Sequence, residues 1–353
     1  MKILVMQHKK IGDIVISTVL ANNLKRVMPH AQVHYLVYQQ ALPILEGNPN
    51  INRVVTFDPK HRTSLRAFIK LVLNIRREQY DVVIDAYTKL ESWLIVWLCA
   101  AKRRISYKKK YRSFLYTDNL SRETVESNQP GLAIDLKLLL IKPFLNDVVA
   151  DRHPQIYLAD DEKRKAAFLF KKHQIPAKKS IMLNIIGSCP LKTYPLEYMA
   201  TLVNLIVSQV DVNILFNFMP HQKGEAQKVY ELCNEKAKEN IFFELSDYDL
   251  RTFIAIMNEC DAIIGNEGGA IHIAKALNKP SFTIFSPWIK KQEWSTFEDG
   301  LDHVAVHLFD FKTALYVNTP DPELKEKTFE LFEELKPEFI VPKLRAYLAH
   351  HFG

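Results

Sequence analysis

Three short stretches carry the residues whose types and spacing are suited to chemistry, and each joins a predicted strand to a predicted helix. The first, Lys9–Asp13, pairs a turn-forming glycine, Gly12, with the Asp13 carboxylate at the start of a helix. A carboxylate in this place can take a proton from a hydroxyl group. Aspartate is also a common helix N-cap, and this stretch alone favours the cap.

The second stretch, Gly187–Lys192, brings a glycine, the Ser188 hydroxyl and the Lys192 ammonium together before a helix. Such groups are typical of a loop that cradles a phosphate, although their spacing is not that of a P-loop. Considered alone, this stretch is more simply interpreted as a surface loop with a solvated lysine.

The third stretch, Gly265–His272, contains the glycine pair Gly268 and Gly269 directly before a helix. Glycines allow close approach of the backbone and leave amides free at a helix start, which favours a diphosphate site. His272 lies one turn into that helix, where a ligand contact and a structural role are equally consistent with the sequence.

The elements that must position these stretches alternate between short β-branched runs and amphipathic helices. Strands are predicted at Lys2–Met6, Val33–Tyr38, Arg53–Phe57, Asp81–Asp85, Arg103–Tyr107, Ser180–Ile186, Val212–Asn217, Ile241–Glu244, Asp261–Gly265 and Ser281–Phe285. The first five strands and the last five, each with intervening helices, form two series that predict two doubly wound α/β domains. In such domains ligands bind at the carboxyl ends of the parallel strands. We place the domains at residues 1–155 and 156–320, followed by a helical tail at 321–353.

Composition supports an ordered globular chain of 353 residues, because 48% of them are hydrophobic and 25% are charged. The longest apolar run, Trp93–Ala101, is nine residues long, whereas a membrane-spanning helix needs about twenty. The four cysteines are far apart and make no metal-ligand spacing. We therefore expect a cytoplasmic protein with reduced cysteines.

Charge is distributed unevenly along the chain. Residues 1–155 have a formal net charge of +11, whereas the remainder has −4. Seven basic residues fall within residues 102–112, among them Lys108, Lys109 and Lys110. Such a cluster attracts partners that bear phosphates, and a solvated loop is an equally good interpretation of the cluster alone.

Taken together, these stretches resemble the ADP-heptose:lipopolysaccharide heptosyltransferase family, glycosyltransferase family 9. The resemblance runs through most of the chain and depends on the order and spacing of Ile11–Val15, Gly187–Pro195, Gly224-Glu225, Leu245-Ser246 and Asn266–Pro280. It implies the GT-B fold, with two Rossmann-like domains that face each other across a cleft. It also implies transfer of a sugar with inversion, with no cofactor and no bound metal.

The resemblance assigns Asp13 as the base that deprotonates the acceptor. It assigns contacts with a nucleotide-sugar donor, ADP-heptose, to Ser188, Lys192, Glu225, Glu267, Gly268, Gly269 and His272. The basic first half fits an anionic glycolipid acceptor, such as a lipid A-linked core, and we expect acceptor contacts from Lys9, Lys10, Lys108, Lys109 and Lys110. We expect a monomer that can contact the inner face of the inner membrane peripherally, with the tail packed back on the first domain.

Departures from the family pattern keep alternatives open. Glu267 stands where the family usually has aspartate, and Gly268 where it often has threonine or serine. A different donor, as in a hexosyltransferase or a nucleotide-sugar epimerase, and a non-catalytic sugar-nucleotide-binding protein are the alternatives. A nucleic-acid binder is disfavoured, because no recognition motif accompanies the basic segment and the second half is acidic.

Overall fold

The protein divides into two compact units, which are described here separately. The computed structural model describes residues 1–8, 10–125, 130–243, 245 and 248–353. The units are Met1–Tyr157 and Leu158–Gly353, so the division falls two residues beyond the predicted boundary. Within the described residues each unit contains one six-stranded parallel sheet with helices, which confirms the predicted α/β architecture.

The first unit has the strand order β3-β2-β1-β4-β5-β6. Its strands are β1 Lys2–Met6, β2 Gln32–Tyr38, β3 Arg53–Phe57, β4 Val82–Asp85, β5 Arg103–Tyr107 and β6 Asp118–Leu120. Its helices are α1 Ile11–Val27, α2 Leu42–Leu45, α3 Lys60–Thr63, α4 Leu65–Arg77, α5 Leu90–Leu98, α6 Leu132–Leu139 and α7 Lys142–Leu145.

The second unit has the strand order β12-β11-β10-β7-β8-β9. Its strands are β7 Ser180–Asn184, β8 Asn213–Asn217, β9 Ile241–Phe242, β10 Ala262–Asn266, β11 Ser281–Ile284 and β12 His303–Val306. Its helices are α8 Asp160–Lys172, α9 Leu196–Gln209, α10 Lys223–Leu232, α11 Glu235–Lys238, α12 Leu250–Glu259, α13 Gly269–Ala276, α14 Lys291–Trp294, α15 Asp321–Glu326, α16 Thr328–Glu334 and α17 Pro337–Phe352.

Both central strands are buried along nearly all of their length and have an apolar centre, as expected of parallel strands covered on both faces. In the first unit β1 pairs with β2 and β4, and Ile3–Met6 is fully buried. In the second unit β7 pairs with β8 and β10. The edge strands β6 and β12 were not predicted, because runs of three and four residues are too short to show a clear period.

The tail completes the core of the second unit. Its apolar side chains, including Phe332, Leu344 and Leu348, are buried in that core, and α17 packs against α9. The Tyr194 hydroxyl donates to the Leu335 carbonyl at 2.7 Å. The sequence analysis expected the tail on the first domain. Helical periodicity shows that a helix has an apolar face but not which surface covers it.

Candidate functional site

Asp13 is the third residue of α1, at the carboxyl end of β1. The N-cap of α1 is Lys10, which has a φ of 65° and makes no capping hydrogen bond through its side chain. The interpretation of Asp13 as an N-cap is therefore wrong, because the helix begins at Ile11. A carboxylate in the first turn is still favoured by the helix dipole. The Asp13 side chain is about one quarter exposed, at 24%, so a hydroxyl group can reach it.

Lys137 of α6 supplies a buried positive charge beside Asp13. Its Nζ lies 3.7 Å from Asp13 Oδ1 and donates to Gln7 Oε1 at 2.6 Å. Burial lowers the pKa of Lys137, with Asp13 opposing that shift and Arg122 adding to it. The sequence analysis did not identify Lys137, although a single lysine within the apolar run of α6 was the available signal.

His8, in the segment between β1 and α1, packs within an aromatic cluster of the first unit. It is fully buried, and its ring contacts those of Tyr38, Phe57 and Tyr87 at centroid distances of 4.5–5.8 Å. Burial lowers the pKa of His8 to about 3, with a smaller contribution from Arg62. The imidazole is therefore neutral, and it acts as an aromatic packing element near Asp13.

The predicted acceptor lysines lie at the same edge of the first sheet as Asp13. Lys10 is exposed directly before α1, and Lys108–Lys110 is exposed in the loop after β5. In the strand order β5 is two strands from β1, which is ~10 Å at the usual strand spacing. Lys9 lies outside the described residues.

Not every basic side chain of residues 102–112 is free for a ligand. Arg103 forms an ion pair with Asp118 at 2.7 Å. Arg112 is buried, and its guanidinium lies 5.5 Å from the Trp93 ring centroid. Arg103 and Arg112 therefore make structural contacts. The positive charge that a ligand can reach in the loop after β5 comes from the exposed lysines.

In the second unit the loop after β7 is folded tightly upon itself. A Cβ atom on Gly187 would lie 2.1 Å from the Lys192 carbonyl oxygen, so only glycine fits there. The Gly187 amide donates to Thr193 Oγ1 at 3.1 Å, and its carbonyl accepts from Gln222 Nε2 at 2.8 Å. These contacts fix the backbone around Ser188 and bring Lys192 to a defined place.

Asn266, at the end of β10, joins this loop to the glycine-rich loop before α13. Its Nδ2 donates to the Asn184 carbonyl at 3.0 Å and to the Ile185 carbonyl at 2.9 Å. Its Oδ1 accepts from the Tyr194 amide at 2.7 Å. Asn266 is fully buried, so it fixes the relative position of the two loops. The place of Asn266 in the motif Asn266–Pro280 follows from the sequence, but its role in joining the two loops does not.

Glu267 and Lys192 form an ion pair between the two loops. The Lys192 Nζ lies 2.5 Å from Glu267 Oε1, with 18% and 8% of the respective side chains exposed. The same ammonium lies 5.9 Å from the Trp288 ring centroid. Two of the predicted donor-binding residues are therefore in direct contact, at the carboxyl ends of the neighbouring strands β7 and β10.

The glycine pair and His272 form the beginning of α13. Gly268 is the N-cap, and it provides no side chain to the free amides of the first turn. A Cβ atom on Gly268 would meet only Asn184 Nδ2, at 3.9 Å, so the space in front of the backbone is open. His272 is buried, and burial lowers its pKa to about 3, with smaller contributions from Lys275 and Lys192. A neutral imidazole and a helix N-terminus can both receive an anion or a sugar hydroxyl.

Ser188 and Glu225 line a cavity of about 480 Å³ beside the Gly187–Lys192 loop. That volume is within the range of small-molecule sites. The cavity is also lined by Cys189, Pro190, Thr193, His221, Gln222, Gly224 and Lys228. Glu225 lies in the first turn of α10 and is exposed. All seven predicted donor-binding residues therefore lie on or beside three adjoining loops.

One group of three metal-ligand side chains also comes together among the described residues. It consists of Asp302, His350 and His351. Asp302 directly precedes β12, and the parallel strands of this sheet all run in one direction. This group therefore lies at the edge where the strands begin, whereas the predicted donor loops follow the opposite edge.

Comparison with known proteins relates the chain to one family. A family model described as "Glycosyltransferase family 9 (heptosyltransferase)" matches residues 68–318. The chain is 25% identical to lipopolysaccharide heptosyltransferase 1 of Campylobacter coli over 296 residues, which is 81% of this chain and 84% of that relative.

Two solved structures are similar over nearly the whole chain. A glycosyl transferase family 9 protein from Veillonella parvula matches with a TM-score of 0.76 and 17% identity, covering 99% of this chain and 97% of that one. The ADP-heptose lps heptosyltransferase II of E. coli matches with a TM-score of 0.69 and 19% identity, covering 95% and 99%. This likeness establishes the GT-B fold. Because the family model also covers more than two thirds of its length, the chain belongs to glycosyltransferase family 9, the heptosyltransferase family, and is a glycosyltransferase.

Proposed function

We propose that this enzyme transfers a heptose from ADP-heptose to an anionic glycolipid acceptor, such as a lipid A-linked lipopolysaccharide core. The observation that carries the proposal is the contact between Lys192 and Glu267, 2.5 Å apart, beside the open N-terminus of α13. The Lys192 ammonium and a set of free backbone amides are groups that bind a nucleoside diphosphate.

The proposed reaction is a single displacement. The Asp13 carboxylate takes the proton from the acceptor hydroxyl, whose oxygen forms a bond to the anomeric carbon of the donor. The bond from that carbon to the diphosphate oxygen breaks at the same time, and its electron pair leaves with ADP. A single displacement inverts the anomeric centre. We propose that Lys192 and the N-terminus of α13 stabilise the charge that grows on the diphosphate, without a metal.

The remaining predicted residues are assigned either to the donor or to the acceptor. Ser188 and Glu225 would contact the nucleoside or its phosphates from the cavity that they line, and His272 would contact the donor sugar as a neutral imidazole. Lys10 and Lys108–Lys110 would bind acidic groups of the acceptor. We propose that the enzyme works as a monomer in the cytoplasm, where it meets a membrane-bound acceptor.

The test is a transfer assay with ADP-heptose and a lipid A-linked core acceptor. Asp13→Asn should lower the rate by about 100- to 10,000-fold, which is the usual contribution of a general base. Asp147→Asn, which changes an exposed carboxylate of the same unit, should leave the rate unchanged. Full activity of a normally folded Asp13→Asn variant would exclude Asp13 as the base.

The donor is tested separately by thermal unfolding with ADP, UDP, GDP and ADP-heptose. A ligand that binds only the folded protein stabilises it by about 2.7 kcal/mol at a hundredfold excess over its Kd. We expect ADP and ADP-heptose to raise the unfolding temperature and the other two nucleotides to leave it unchanged. A shift of the unfolding temperature with UDP or GDP instead would identify a different donor. Only the proposed transfer reaction would then still stand.

A further inference from the structure

The first unit exposes a group of large apolar side chains on one side of its sheet. Among the described residues of this unit, eleven large apolar side chains are exposed, and eight of them belong to α4, α5 and the loop 111–114. No helix in the described part of the chain is both long and apolar enough to cross a bilayer. A membrane-spanning helix therefore does not explain why these apolar side chains are exposed.

Helix α4 carries an exposed apolar row beside its buried apolar face. Its inner face, which includes Phe68 and Leu71, is buried against the sheet. Leu65, Ile69 and Leu73 are spaced four residues apart and are all exposed, Leu65 by 73%. A helix that only covers a sheet keeps its outer face polar, so this outer row has no role in the core.

Helix α5 and the following loop continue the same pattern. Leu90, Leu94 and Trp97 form the outer row of α5, and Trp97 is 62% exposed. In the loop after β5, Tyr111 is 86% exposed and Phe114 is 80% exposed. Two of these side chains are aromatic rings with a polar atom, a type enriched at the boundary between water and lipid.

These elements form one continuous surface. The strand order places the crossovers from β3 to β4, from β4 to β5 and from β5 to β6 in one direction, and right-handed crossovers in one direction lie on one face of a sheet. Helix α4 packs against α5, and α5 packs against residues 113–115. We call the outer faces of α4 and α5 together with the loop 111–114 the α4–α5 surface.

The charge around this surface is strongly positive. Residues 60–114 have a formal net charge of +10, which is nearly all of the +11 of the first unit. Arg66 and Lys70 are exposed beside the apolar row of α4, and Lys108–Lys110 is exposed next to Tyr111. Of the few acidic residues in this segment, Glu91 is paired with Arg62 at 2.7 Å and Glu78 is paired with Lys2 at 2.7 Å.

We propose that the α4–α5 surface docks on an anionic lipid bilayer, with its apolar side chains in the interfacial layer and its basic side chains on the headgroups. Apolar rows flanked by lysine and arginine are the composition of such interfacial surfaces. A second copy of the chain is a poor occupant, because two surfaces of this charge repel each other. This proposal goes beyond the transfer reaction and does not depend on the identity of the donor.

The test is co-sedimentation with vesicles that contain no glycolipid, so that acceptor binding plays no part. Phosphatidylglycerol–phosphatidylcholine vesicles should bind the protein, and phosphatidylcholine vesicles should bind it much more weakly. The triple variant Leu65→Ser/Trp97→Ser/Phe114→Ser should weaken binding about 100-fold, since each side chain contributes through its buried apolar area. The matched control Phe168→Ser/Leu301→Ser/Phe329→Ser changes three exposed apolar side chains of the second unit and should bind like the wild type.

Charge and insertion are tested by two further measurements. Lys70→Gln/Lys110→Gln should weaken binding about 25-fold, at about fivefold for each basic side chain near an anionic surface. The tryptophan emission of the protein should shift to the blue when it binds vesicles. Trp97→Phe should abolish this shift while the protein still binds. This fluorescence readout also separates the proposal from the proposed function, because neither donor nor acceptor is present.

Three results would overturn the proposal. The first is equal vesicle binding by the apolar triple variant and its control. The second is binding that is indifferent to anionic lipid. The third is a dimer in sedimentation velocity that the apolar triple variant dissociates, because it would assign this surface to self-association.

Discussion

The ion pair between Lys192 and Glu267 allows a quantitative prediction about the proposed donor site. The two charged atoms lie 2.5 Å apart, and the Glu267 side chain is the more deeply buried of the two. At an effective dielectric constant of about 20, this distance corresponds to about 6–7 kcal/mol of Coulomb attraction before desolvation is subtracted. Breaking such a buried pair by removing one partner typically costs about 3–5 kcal/mol.

The two single substitutions should not be equivalent. Lys192→Met leaves a carboxylate that cannot reach water, so we expect it to destabilise the second unit by about 3–5 kcal/mol. Glu267→Gln leaves a lysine that is partly exposed and can turn toward solvent, so we expect a loss of only about 1–2 kcal/mol. The double variant should resemble Glu267→Gln alone, which gives a coupling energy of about 3–5 kcal/mol in magnitude.

The assay is urea unfolding followed by tryptophan fluorescence in a Trp93→Phe/Trp97→Phe background. The remaining tryptophans, Trp288 and Trp294, both lie in the second unit and report its unfolding alone. Lys172→Met, which changes an exposed lysine of α8, is the control. If the effects of the two single substitutions add within about 0.5 kcal/mol, the pair is not coupled and the reasoning fails.

The same variants test the proposed role of Lys192 toward the donor. A hydrogen bond to a charged group contributes about 1.5–3 kcal/mol, so Lys192→Met should weaken ADP binding by about 10- to 150-fold in calorimetry. An unchanged Kd for ADP in this variant would show that the ammonium serves the fold only.

Three further predictions concern the groups that position the proposed site. Lys137→Met should lower the rate of transfer, because the buried Lys137 ammonium lies 3.7 Å from Asp13 and holds that carboxylate in place; an unchanged rate, or an equal effect of Lys142→Met on α7, would contradict this. His8 has a pKa of about 3 in the folded protein and of 6.5 in the unfolded chain. Between these pH values the unfolded chain therefore binds more protons than the folded protein. The free energy of unfolding should fall by up to about 5 kcal/mol as the pH drops from 6.5 to 3. His8→Phe should reduce that acid sensitivity in pH-dependent urea unfolding, and an identical pH dependence would refute the assignment. Asn266→Ala should destabilise the second unit by about 3 kcal/mol or more in urea unfolding, because it leaves buried backbone groups without partners; a loss below about 1 kcal/mol would show that the loops hold their positions without it.

The sequence predicted the α/β architecture and the family, because both depend on local patterns in a fixed order. Strand–loop–helix alternation predicted the strands Lys2–Met6, Arg53–Phe57 and Arg103–Tyr107 with the observed bounds. The apolar pattern of residues 222–238 predicts a single helix, but the structure divides this stretch into α10 and α11, since Asn234 caps a new helix by accepting from the Ala237 amide at 2.9 Å. Such a cap competes with helix continuation in a way that apolar periodicity does not record.

The sequence by itself determined which residue types stand after which strands, and this is why the predicted donor residues fall on adjoining loops. Only the tertiary structure decided which charges meet. Lys137 approaches Asp13 from a helix far away in the chain, and Glu267 meets Lys192 because β7 and β10 are neighbours in the sheet. Only the structure, too, shows that α4 keeps one apolar face uncovered. The physical reason is the same in each case. The packing of the whole core sets the order of the strands and decides which helix faces are covered, and a local sequence pattern does not contain this information.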